Sequence, residues 1–480
     1  MATLTRRAEA ARLPIELSLA WTTAALGGVL LLAAGLRLAY LIALWQSPLF
    51  LLNALPGLDM ATYYSVGQAF AAGHVPELGV PLFQAPLYPL LLGGLIRLAG
   101  PSLAALSAAQ VVLGVLACGL LDALGRRLGG PALGLLAAGL YAVYPIAWYY
   151  GGLLLSENLL VVLLLALTLA AVRALDGRGA SAWLNVGVLC GLASLTKPNV
   201  VLVLPALLLL AWWQRTLTPR AAALALLACG LLVLPPTLDN SLAAGAPQFV
   251  SSQGEHLWLA GNTTYATGLY QLPCGPPLGP GSGSFWELQA RKLVLFFSNT
   301  EFGNNTNLAV FRTALGLGLL GGGPMGFGFG SLAGLGLLGL VGVRGQSARW
   351  RAPLLILVIY SASIVLFVIV GRYRLPAAAL LCLPAAALLL RLPRLLRDQR
   401  RRLGLALAGV LVLSLAANTN LPPDVSLPFA HANAATVFAQ AGDATTAQRE
   451  LTQATAAAQD VAGRDPHGCA HLPPTWDLGR

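Results

Sequence analysis

Long, uninterrupted apolar segments recur along the chain, and they restrict its fold more than any other feature of the sequence. Several of them reach the roughly 20 residues that an α-helix needs to cross a bilayer. The chain is 57% hydrophobic and only 10% charged. Because each segment is continuous rather than an alternation of about ten residues, transmembrane β-strands do not fit. The sequence therefore predicts an all-α, polytopic membrane bundle.

The arginines predict which side of the membrane each connecting segment occupies. The formal net charge is +11, but the arginines are spread in groups between apolar segments, so the charge indicates topology rather than nucleic-acid binding. Placing every group in the cytoplasm requires about eleven spans, with the N-terminus inside and the C-terminal tail outside. The first apolar segment shows no signal-peptide cleavage site, so we expect an uncleaved span there. The arginine groups are Arg6/Arg7/Arg12, Arg126/Arg127, Arg173/Arg178, Arg215/Arg220, Arg344/Arg349/Arg351 and Arg391 through Arg402. The predicted spans are residues 19–42, 104–123, 131–147, 153–172, 182–196, 199–213, 221–237, 325–343, 352–370, 376–392 and 403–417.

The predicted loops divide the chain into a membrane domain, residues 1–417, and a tail, residues 418–480. The inner loops are short and basic, whereas two large loops lie outside, at residues 43–103 and 238–324. Residues 87–98 are apolar but too short to span easily, and we interpret them as an interfacial or re-entrant helix. Chemistry is therefore expected on the outer face, which is the periplasmic face of the inner membrane in a bacterium.

The tail has the pattern of one tetratricopeptide-like helical hairpin, with its turn at Gly442 and Asp443. A single such unit cannot bury its own apolar face, so it either packs on the outer loops or is the remnant of a longer array. An alanine-rich amphipathic hairpin without a particular role fits the same pattern. The small and apolar positions are Ala435, Phe438, Ala439, Gly442, Ala447, Leu451 and Ala454.

Two of the six cysteines, Cys274 and Cys469, fall on the predicted outer side, where a disulfide is chemically allowed. Whether they pair stays open at this point. The other four lie in predicted spans as small apolar residues.

Two acids lie where a carboxylate is costly. Asp59 follows the first span on the outer side, and Glu157 lies at the outer end of its predicted span. A charged side chain beside the hydrocarbon region costs roughly 2.5–3.5 kcal/mol on insertion scales, which favours a functional role. The alternatives are a solvated helix cap at Asp59 and a helix-start hydrogen bond at Glu157.

Three cations lie against the expected charge distribution. Lys197 occupies a tight turn between two spans, where it either binds an anion or extends to the headgroups. Arg372 and Arg374 flank Tyr373 at the outer end of a span, against the positive-inside rule. Two guanidinium groups there are well suited to a phosphate, which arginine binds bidentately.

The ordered motifs of the chain resemble membrane glycosyltransferases of the C type. They are an acid and tyrosines in the first loop, "APLYPLLLG", "SENLL", "LTKPN" and "RYRLP", over roughly residues 20–400. More narrowly, the chain resembles bacterial members of glycosyltransferase family 39, relatives of the protein O-mannosyltransferases and the lipid A aminoarabinose transferases. It has Asp59-Met60 where the eukaryotic mannosyltransferases carry an Asp-Glu pair.

The resemblance implies a polyprenyl-phosphate sugar as donor and transfer outside the membrane, usually with inversion. It implies that Asp59 is the general base, and that Arg372 and Arg374 bind the donor phosphate with Lys197 as a further ligand. Glu157 is expected to orient the donor sugar, the acceptor or a metal ion. The predicted sugar-pocket residues are Tyr63, Tyr64 and Tyr373.

Several alternatives stay open from the sequence. No zinc motif such as H-E-x-x-H or C-x-x-C occurs, but a divalent metal at the carboxylates is not decided. A transporter or flippase of a lipid or small solute is the main competing function, although no clear internal repeat is present. A membrane scaffold is the third. The motifs name neither the sugar nor the acceptor, which is a glycan, a lipid or a protein.

Overall fold

The fold is almost entirely α-helical in a computed structural model of the chain. The structure describes residues 19–74, 81–177, 179–304, 306–316, 326–343 and 348–470. Within these ranges no β-strand occurs beyond two isolated bridges, which confirms the predicted all-α class. Short 3₁₀ helices cover Pro48–Asn53, Pro198–Leu202, Ala348–Trp350 and Gly371–Arg374. The α-helices are α1 Leu19–Trp45, α2 Asp59–Ala71, α3 Leu87–Ala99, α4 Leu103–Gly129, α5 Pro131–Ala142, α6 Pro145–Gly151, α7 Glu157–Leu175, α8 Gly179–Ser194, α9 Val203–Trp213, α10 Pro219–Ala244, α11 Gln253–Gly261, α12 Gly283–Phe296, α13 Leu308–Ala314, α14 Phe329–Val343, α15 Arg351–Phe367, α16 Leu375–Asp398, α17 Arg400–Asn418, α18 Ser426–Gln440 and α19 Ala444–Gly463.

Seven of the described helices are long and apolar enough to cross a membrane: α1, α4, α7, α10, α15, α16 and α17. The pair α5 and α6 forms an eighth candidate span, bent by 58°. The chain is therefore an integral membrane protein. The predicted spans at 182–196, 199–213 and 325–343 correspond to shorter apolar helices, so the number eleven stays a prediction. The predicted inner N-terminus with Arg6, Arg7 and Arg12, together with Arg178 and Arg344, lies outside the described residues.

The bundle has two chemically different ends. Helix α7 begins at Glu157 and, at 19 residues, is about 28 Å long. Just beyond its last turn, Asp176 accepts a hydrogen bond from Arg349 Nε at 2.9 Å and lies 4.0 Å from Arg127 Nη1. Three connections that were predicted on the inner side therefore meet at the end of the bundle opposite Glu157.

A buried arginine stabilises the bend between α5 and α6. Arg37 of α1 is 2% exposed and donates to the carbonyls of Tyr141 at 3.3 Å and Ala142 at 3.4 Å. These carbonyls end α5, where a helix leaves acceptors unpaired and a cation is favoured. Gly114 of α4 makes room, because a Cβ there would lie 2.4 Å from Arg37 Nε.

Two buried amides fix the non-helical segment that leads into α7. Asn53 donates to Gly152 O at 3.1 Å and accepts from Leu154 N at 2.7 Å. Gln110 of α4 donates to Leu155 O at 3.1 Å. Backbone groups buried in a membrane protein need such partners. The start of α7, and with it Glu157, is thus held in a defined position.

The tail forms the predicted helical hairpin. Helices α18 and α19 pack together, and the turn contains Gly442 with a φ of 83°. Asp443 caps α19 by accepting from Thr446 N at 3.0 Å. Two of the apolar positions predicted for the hairpin, Phe438 and Ala454, are buried. The hairpin packs against the 3₁₀ helix at Pro48–Asn53, so it rests on the first predicted outer loop.

Cys274 and Cys469 form a disulfide across 195 residues, which resolves the alternative that the sequence left open. The bond joins the second predicted outer loop to the end of the tail. Cys118, Cys190, Cys229 and Cys382 are free and buried, as expected for small apolar residues.

Replacing both Cys274 and Cys469 by serine is expected to lower the free energy of unfolding by about 2–4 kcal/mol, because a long loop is no longer closed in the unfolded chain. The measurement is an SDS titration of purified protein in mixed micelles. A reducing agent should lower the stability of the unaltered protein and leave the double variant unchanged. Equal stability of the two proteins without reductant would contradict the expectation.

Candidate active site

Four charged residues from distant parts of the sequence converge at the Glu157 end of the bundle. Arg372 donates from Nη2 to Asp59 Oδ2, and its Nε lies 3.6 Å from Glu157 Oε1. Lys197 Nζ lies 3.2 Å from the same oxygen of Glu157. The structure thus brings together one residue from each of four motifs that the sequence singled out. We call Asp59, Glu157, Lys197 and Arg372 the charged cluster.

Both acids of the cluster stand at helix starts. Asp59 is the first residue of α2, and Glu157 is the first residue of α7. The positive end of a helix dipole favours a carboxylate in the first turn. Gly57, with a φ of 89°, lets the chain turn sharply into α2. Asp59 is paired with Arg372 rather than serving as a solvated cap.

Arg372 reaches the cluster through a tightly packed backbone segment. Gly371 N donates to Phe302 O at 2.8 Å, and a Cβ at Gly371 would lie 2.1 Å from Glu301 Oε1. Only glycine therefore fits beside this buried acid. The close approach fixes the backbone immediately before Arg372.

A buried lysine that sequence analysis did not assign supports the same segment. Lys292 Nζ donates to the carbonyl of Phe367 at 2.7 Å and to Asn262 Oδ1 at 2.8 Å. Burial lowers the pKa of Lys292 to about 7. Phe367 ends α15, so the amine stabilises the helix end from which the chain continues to Arg372.

The cluster is nearly buried and its formal charges cancel. The side chains of Glu157, Arg372, Lys197 and Asp59 are 1%, 5%, 12% and 18% exposed, so Asp59 is the most accessible of the four. Burial alone would lower the pKa of Lys197, but Glu157 opposes this effect and the pKa is raised. Among the described residues, Glu157 Oε2 has no hydrogen-bond partner.

Two of the three predicted pocket tyrosines adjoin the cluster. The ring centre of Tyr373 lies 4.5 Å from Lys197 Nζ. The Tyr63 hydroxyl is 3.3 Å from Ser156 Oγ, beside Glu157. Burial raises the pKa of Tyr63 to about 12, with Lys197 acting in the opposite direction. Both tyrosines therefore lie beside the charged cluster, and their role in a sugar pocket stays a prediction.

Tyr64 does not fit its prediction. It is one residue beyond Tyr63 in α2, and its hydroxyl donates to Pro101 O at 2.7 Å. Successive helix positions point about 100° apart. Tyr64 thus ties α2 to the turn before α4 and is removed from the proposed pocket.

Arg374 pairs with Glu301 and backbone carbonyls rather than with the charged cluster. Its Nη2 donates to Glu301 Oε2 at 2.9 Å and to Thr300 O at 2.7 Å, while Nη1 donates to Ser298 O at 2.8 Å. The side chain is 1% exposed. Burial raises the pKa of Glu301, and Arg374 acts against this by favouring the carboxylate. The prediction that Arg372 and Arg374 bind one phosphate is therefore revised, and Arg374 is assigned to holding the loop at 296–301.

A cavity of about 650 Å³ opens beside the cluster. Lys197 and Tyr373 line it, and most of its remaining wall is apolar, with Leu202, Phe249 and Phe367 among its side chains. The cavity was not predictable from the sequence, because most of its wall comes from two segments without a charged motif, residues 246–257 and 360–368, which pack beside Lys197 and Tyr373 only in the fold. Among the residues that the structure describes, no group of three His, Cys, Asp or Glu side chains forms a metal centre.

The fold and the site together define a polytopic helical membrane protein with a charged cluster beside an apolar cavity. Residues 83–238 match the family model described as dolichyl-phosphate-mannose-protein mannosyltransferase, which confirms the resemblance over about a third of the chain. The matched range contains Glu157 and Lys197 but neither Asp59 nor Arg372. No curated protein matches the sequence significantly.

Two solved structures are similar to this chain, each with a TM-score below 0.5. ArnT from Cupriavidus metallidurans bound to undecaprenyl phosphate is 14% identical with a TM-score of 0.49, over 95% of this chain and 78% of that one. The Archaeoglobus fulgidus oligosaccharyltransferase in its apo form is 15% identical with a TM-score of 0.47, over 83% of this chain and 54% of that one.

Proposed function

We propose that this chain is a membrane glycosyltransferase that transfers a sugar from a polyprenyl-phosphate donor to an acceptor at the outer face of the membrane. The observation that carries the proposal is the charged cluster beside the apolar cavity. Two cations suit a phosphate and an apolar cavity suits an isoprenoid tail. The family-model match supports the same reaction class. The positive-inside rule supports a periplasmic site, since the basic connections lie at the other end.

The donor is proposed to place its phosphate between Lys197 and Arg372. Lys197 lines the cavity directly, so a lipid tail in the cavity brings its phosphate to this ammonium group. Arg372 pairs with Asp59 in the present structure. A bound phosphate competes for that guanidinium group and thereby frees the carboxylate of Asp59.

Asp59 is proposed to accept the proton of the acceptor hydroxyl. As that oxygen bonds to the anomeric carbon, the carbon–oxygen bond to the lipid phosphate breaks and the phosphate leaves with the electron pair. Lys197 and Arg372 stabilise the charge that develops on it. Glu157 Oε2, which is buried and lacks a hydrogen-bond partner among the described residues, accepts a hydrogen bond from a hydroxyl of the donor sugar.

A transporter fits the geometry less well. Its charged groups are expected near the middle of the bilayer, at discontinuous helices. Here Asp59 and Glu157 begin α-helices, Lys197 immediately precedes the 3₁₀ helix Pro198–Leu202, and Arg372 lies in the 3₁₀ helix that leads into α16. All four belong to one end of the bundle.

The direct test is reconstitution of the purified protein in liposomes with undecaprenyl-phosphate mannose, glucose or aminoarabinose. Release of undecaprenyl phosphate is measured, and surface glycans and lipid-linked sugars of cells with and without the protein are compared by mass spectrometry. We expect one of the donors to release undecaprenyl phosphate, and we expect cells without the protein to lack one glycan modification. Absence of both would contradict the proposed reaction.

Arg372→Ala is expected to weaken binding of undecaprenyl phosphate by about 10- to 100-fold, because a charge-assisted hydrogen bond contributes roughly 1.5–3 kcal/mol. Arg372→Lys keeps the charge and should lose less. Arg97→Ala is the matched control, since Arg97 lies in the same outer region and donates to Ala71 O. Native mass spectrometry measures the affinities. Equal affinity of Arg372→Ala and the unaltered protein would remove Arg372 from the phosphate site.

A further inference from the structure

Three side chains outside the charged cluster form a small group at the surface of the outer loops. His256 Nε2 and the Tyr270 hydroxyl are 3.0 Å apart and hydrogen-bonded. The Phe83 ring meets the His256 ring edge to face, with centres 6.3 Å apart. Phe83 is 47% exposed, and His256 and Tyr270 are half-buried. We call these three residues the aromatic group.

The aromatic group adjoins Asp59 through one short loop. Gln84, which follows Phe83, donates from Nε2 to Asp59 Oδ1 at 3.3 Å. The same loop is joined to the start of α11, which carries His256, because Ser252 N donates to Leu82 O at 2.9 Å. One loop therefore holds both Asp59 and the aromatic group in place.

Tyr270 is also within electrostatic reach of the cluster. Burial raises its pKa most, and Tyr373 and Asp59 raise it further, whereas Arg372 lowers it. The cavity that suits the lipid donor is lined by other residues of α11, Glu255 and Leu257 among them, and His256 is not part of its wall. None of the three residues of the aromatic group lines the donor cavity, so the group is separate from the cavity wall.

We propose that Phe83, His256 and Tyr270 form the acceptor subsite and bind a neutral carbohydrate ring. This inference rests on the proposed function, and it names the acceptor class that the function leaves open. The exposed Phe83 ring offers a flat apolar surface for the C–H face of a sugar. The hydrogen-bonded His256–Tyr270 pair offers both a donor and an acceptor to sugar hydroxyls. The group contains neither lysine nor arginine, so it offers no permanent positive charge to a phosphate or a carboxylate, which favours a neutral ligand.

A sugar on this surface directs one hydroxyl at Asp59. Asp59 has the most exposed side chain of the charged cluster, and Gln84 orients its carboxylate. The hydroxyl proton passes to Asp59 as the new glycosidic bond forms, and the lipid phosphate leaves on the opposite side. His256 and Tyr270 are positioning residues for the acceptor in this scheme.

The variants Phe83→Ala, His256→Gln and Tyr270→Phe test the subsite in purified full-length protein. The acceptor probes are chitobiose, methyl α-mannoside and a serine/threonine peptide, with binding followed by saturation-transfer NMR. The KM for the acceptor is measured with the sugar donor that the liposome assay identifies. We expect each variant to raise the sugar Kd or KM by about 2- to 10-fold, the effect of one hydrogen bond or contact. The affinity for undecaprenyl phosphate should not change.

Tyr265→Phe is the matched control. Tyr265 is also an outer-loop tyrosine beside a histidine, but it is 41% exposed and stacks on His467 of the tail with ring centres 4.0 Å apart. Removing the Tyr265 hydroxyl should leave the affinity for the sugar unchanged.

Each outcome decides between the two proposals. If the variants keep the sugar affinity and KM while Asp59→Asn is inactive, the subsite is wrong and the glycosyltransferase stands. If only the peptide binds or is modified, the carbohydrate assignment is overturned. If no donor releases undecaprenyl phosphate, the proposed function fails and the acceptor subsite falls with it. If neither sugar binds, the acceptor class is wrong.

Discussion

Asp59→Asn is expected to lower the rate of sugar transfer by about 10²- to 10⁴-fold, the usual contribution of a general base, while the protein stays folded. Asparagine has nearly the same shape, and its oxygen still accepts the hydrogen bond from Gln84. It no longer takes a proton from an acceptor. The rate is measured as undecaprenyl phosphate release in liposomes, and folding is checked by the SDS unfolding midpoint.

Asp176→Asn is the matched control for this prediction. Asp176 is also paired with an arginine, and its side chain is 21% exposed against 18% for Asp59. It lies at the other end of the bundle, so its neutralisation should leave the transfer rate nearly unchanged. Near-normal turnover by Asp59→Asn, or an equal loss in both variants, would show that Asp59 is not the base.

The four residues of the charged cluster were predictable because each violates a simple physical rule. Asp59 and Glu157 place carboxylates beside hydrocarbon, and Arg372 places a cation on the side that the positive-inside rule disfavours. Lys197 interrupts an apolar pair of helices. Such violations are costly, so they indicate function without knowledge of the fold. Their mutual distances could not be predicted, because the four residues are far apart in sequence.

The two corrections have a common cause. Arg374 lies two residues from Arg372, and Tyr64 lies one residue from Tyr63, so the same motif contains both members of each pair. Which member faces the cluster depends on the local helical turn and on partners elsewhere, such as Glu301 and Pro101. A motif therefore indicates a site more reliably than it assigns each residue within it.

The supporting polar network was missed although a signal was present. Arg37 is a charge inside the first apolar segment, and Gln110 is an amide inside the next long one. A buried polar group in a span indicates a partner within the protein. Here the partners are backbone carbonyls of the bent α5–α6 pair and of the segment before Glu157. Pro145, the first residue of α6, is a sequence signal for a break in the helix, but it does not indicate which polar side chain pairs with the carbonyls that the break leaves.

Arg374→Met is expected to lower the free energy of unfolding by about 3–5 kcal/mol, the cost of leaving one partner of a buried ion pair alone. Glu301 is 3% exposed and, among the described residues, would keep the Tyr150 hydroxyl as its single donor, at 2.7 Å. The carbonyls of Ser298 and Thr300 would lose their donors as well. SDS titration of the purified variant in mixed micelles measures the loss.

The double variant Arg374→Met with Glu301→Gln separates a structural role from phosphate binding. Without a buried charge left over, it should be more stable than Arg374→Met alone, because neutral groups need no ionic partner. The affinity of the folded double variant for undecaprenyl phosphate should match that of the unaltered protein, whereas Arg372→Ala loses it. If Arg374→Met instead keeps its stability and loses the lipid phosphate, Arg374 is a phosphate ligand after all. The assignment of Arg372 to the phosphate and of Arg374 to the loop at 296–301 would then be wrong. In that case Arg374 would turn from Glu301 toward the donor phosphate, and Glu301 would become free to contact the donor as well.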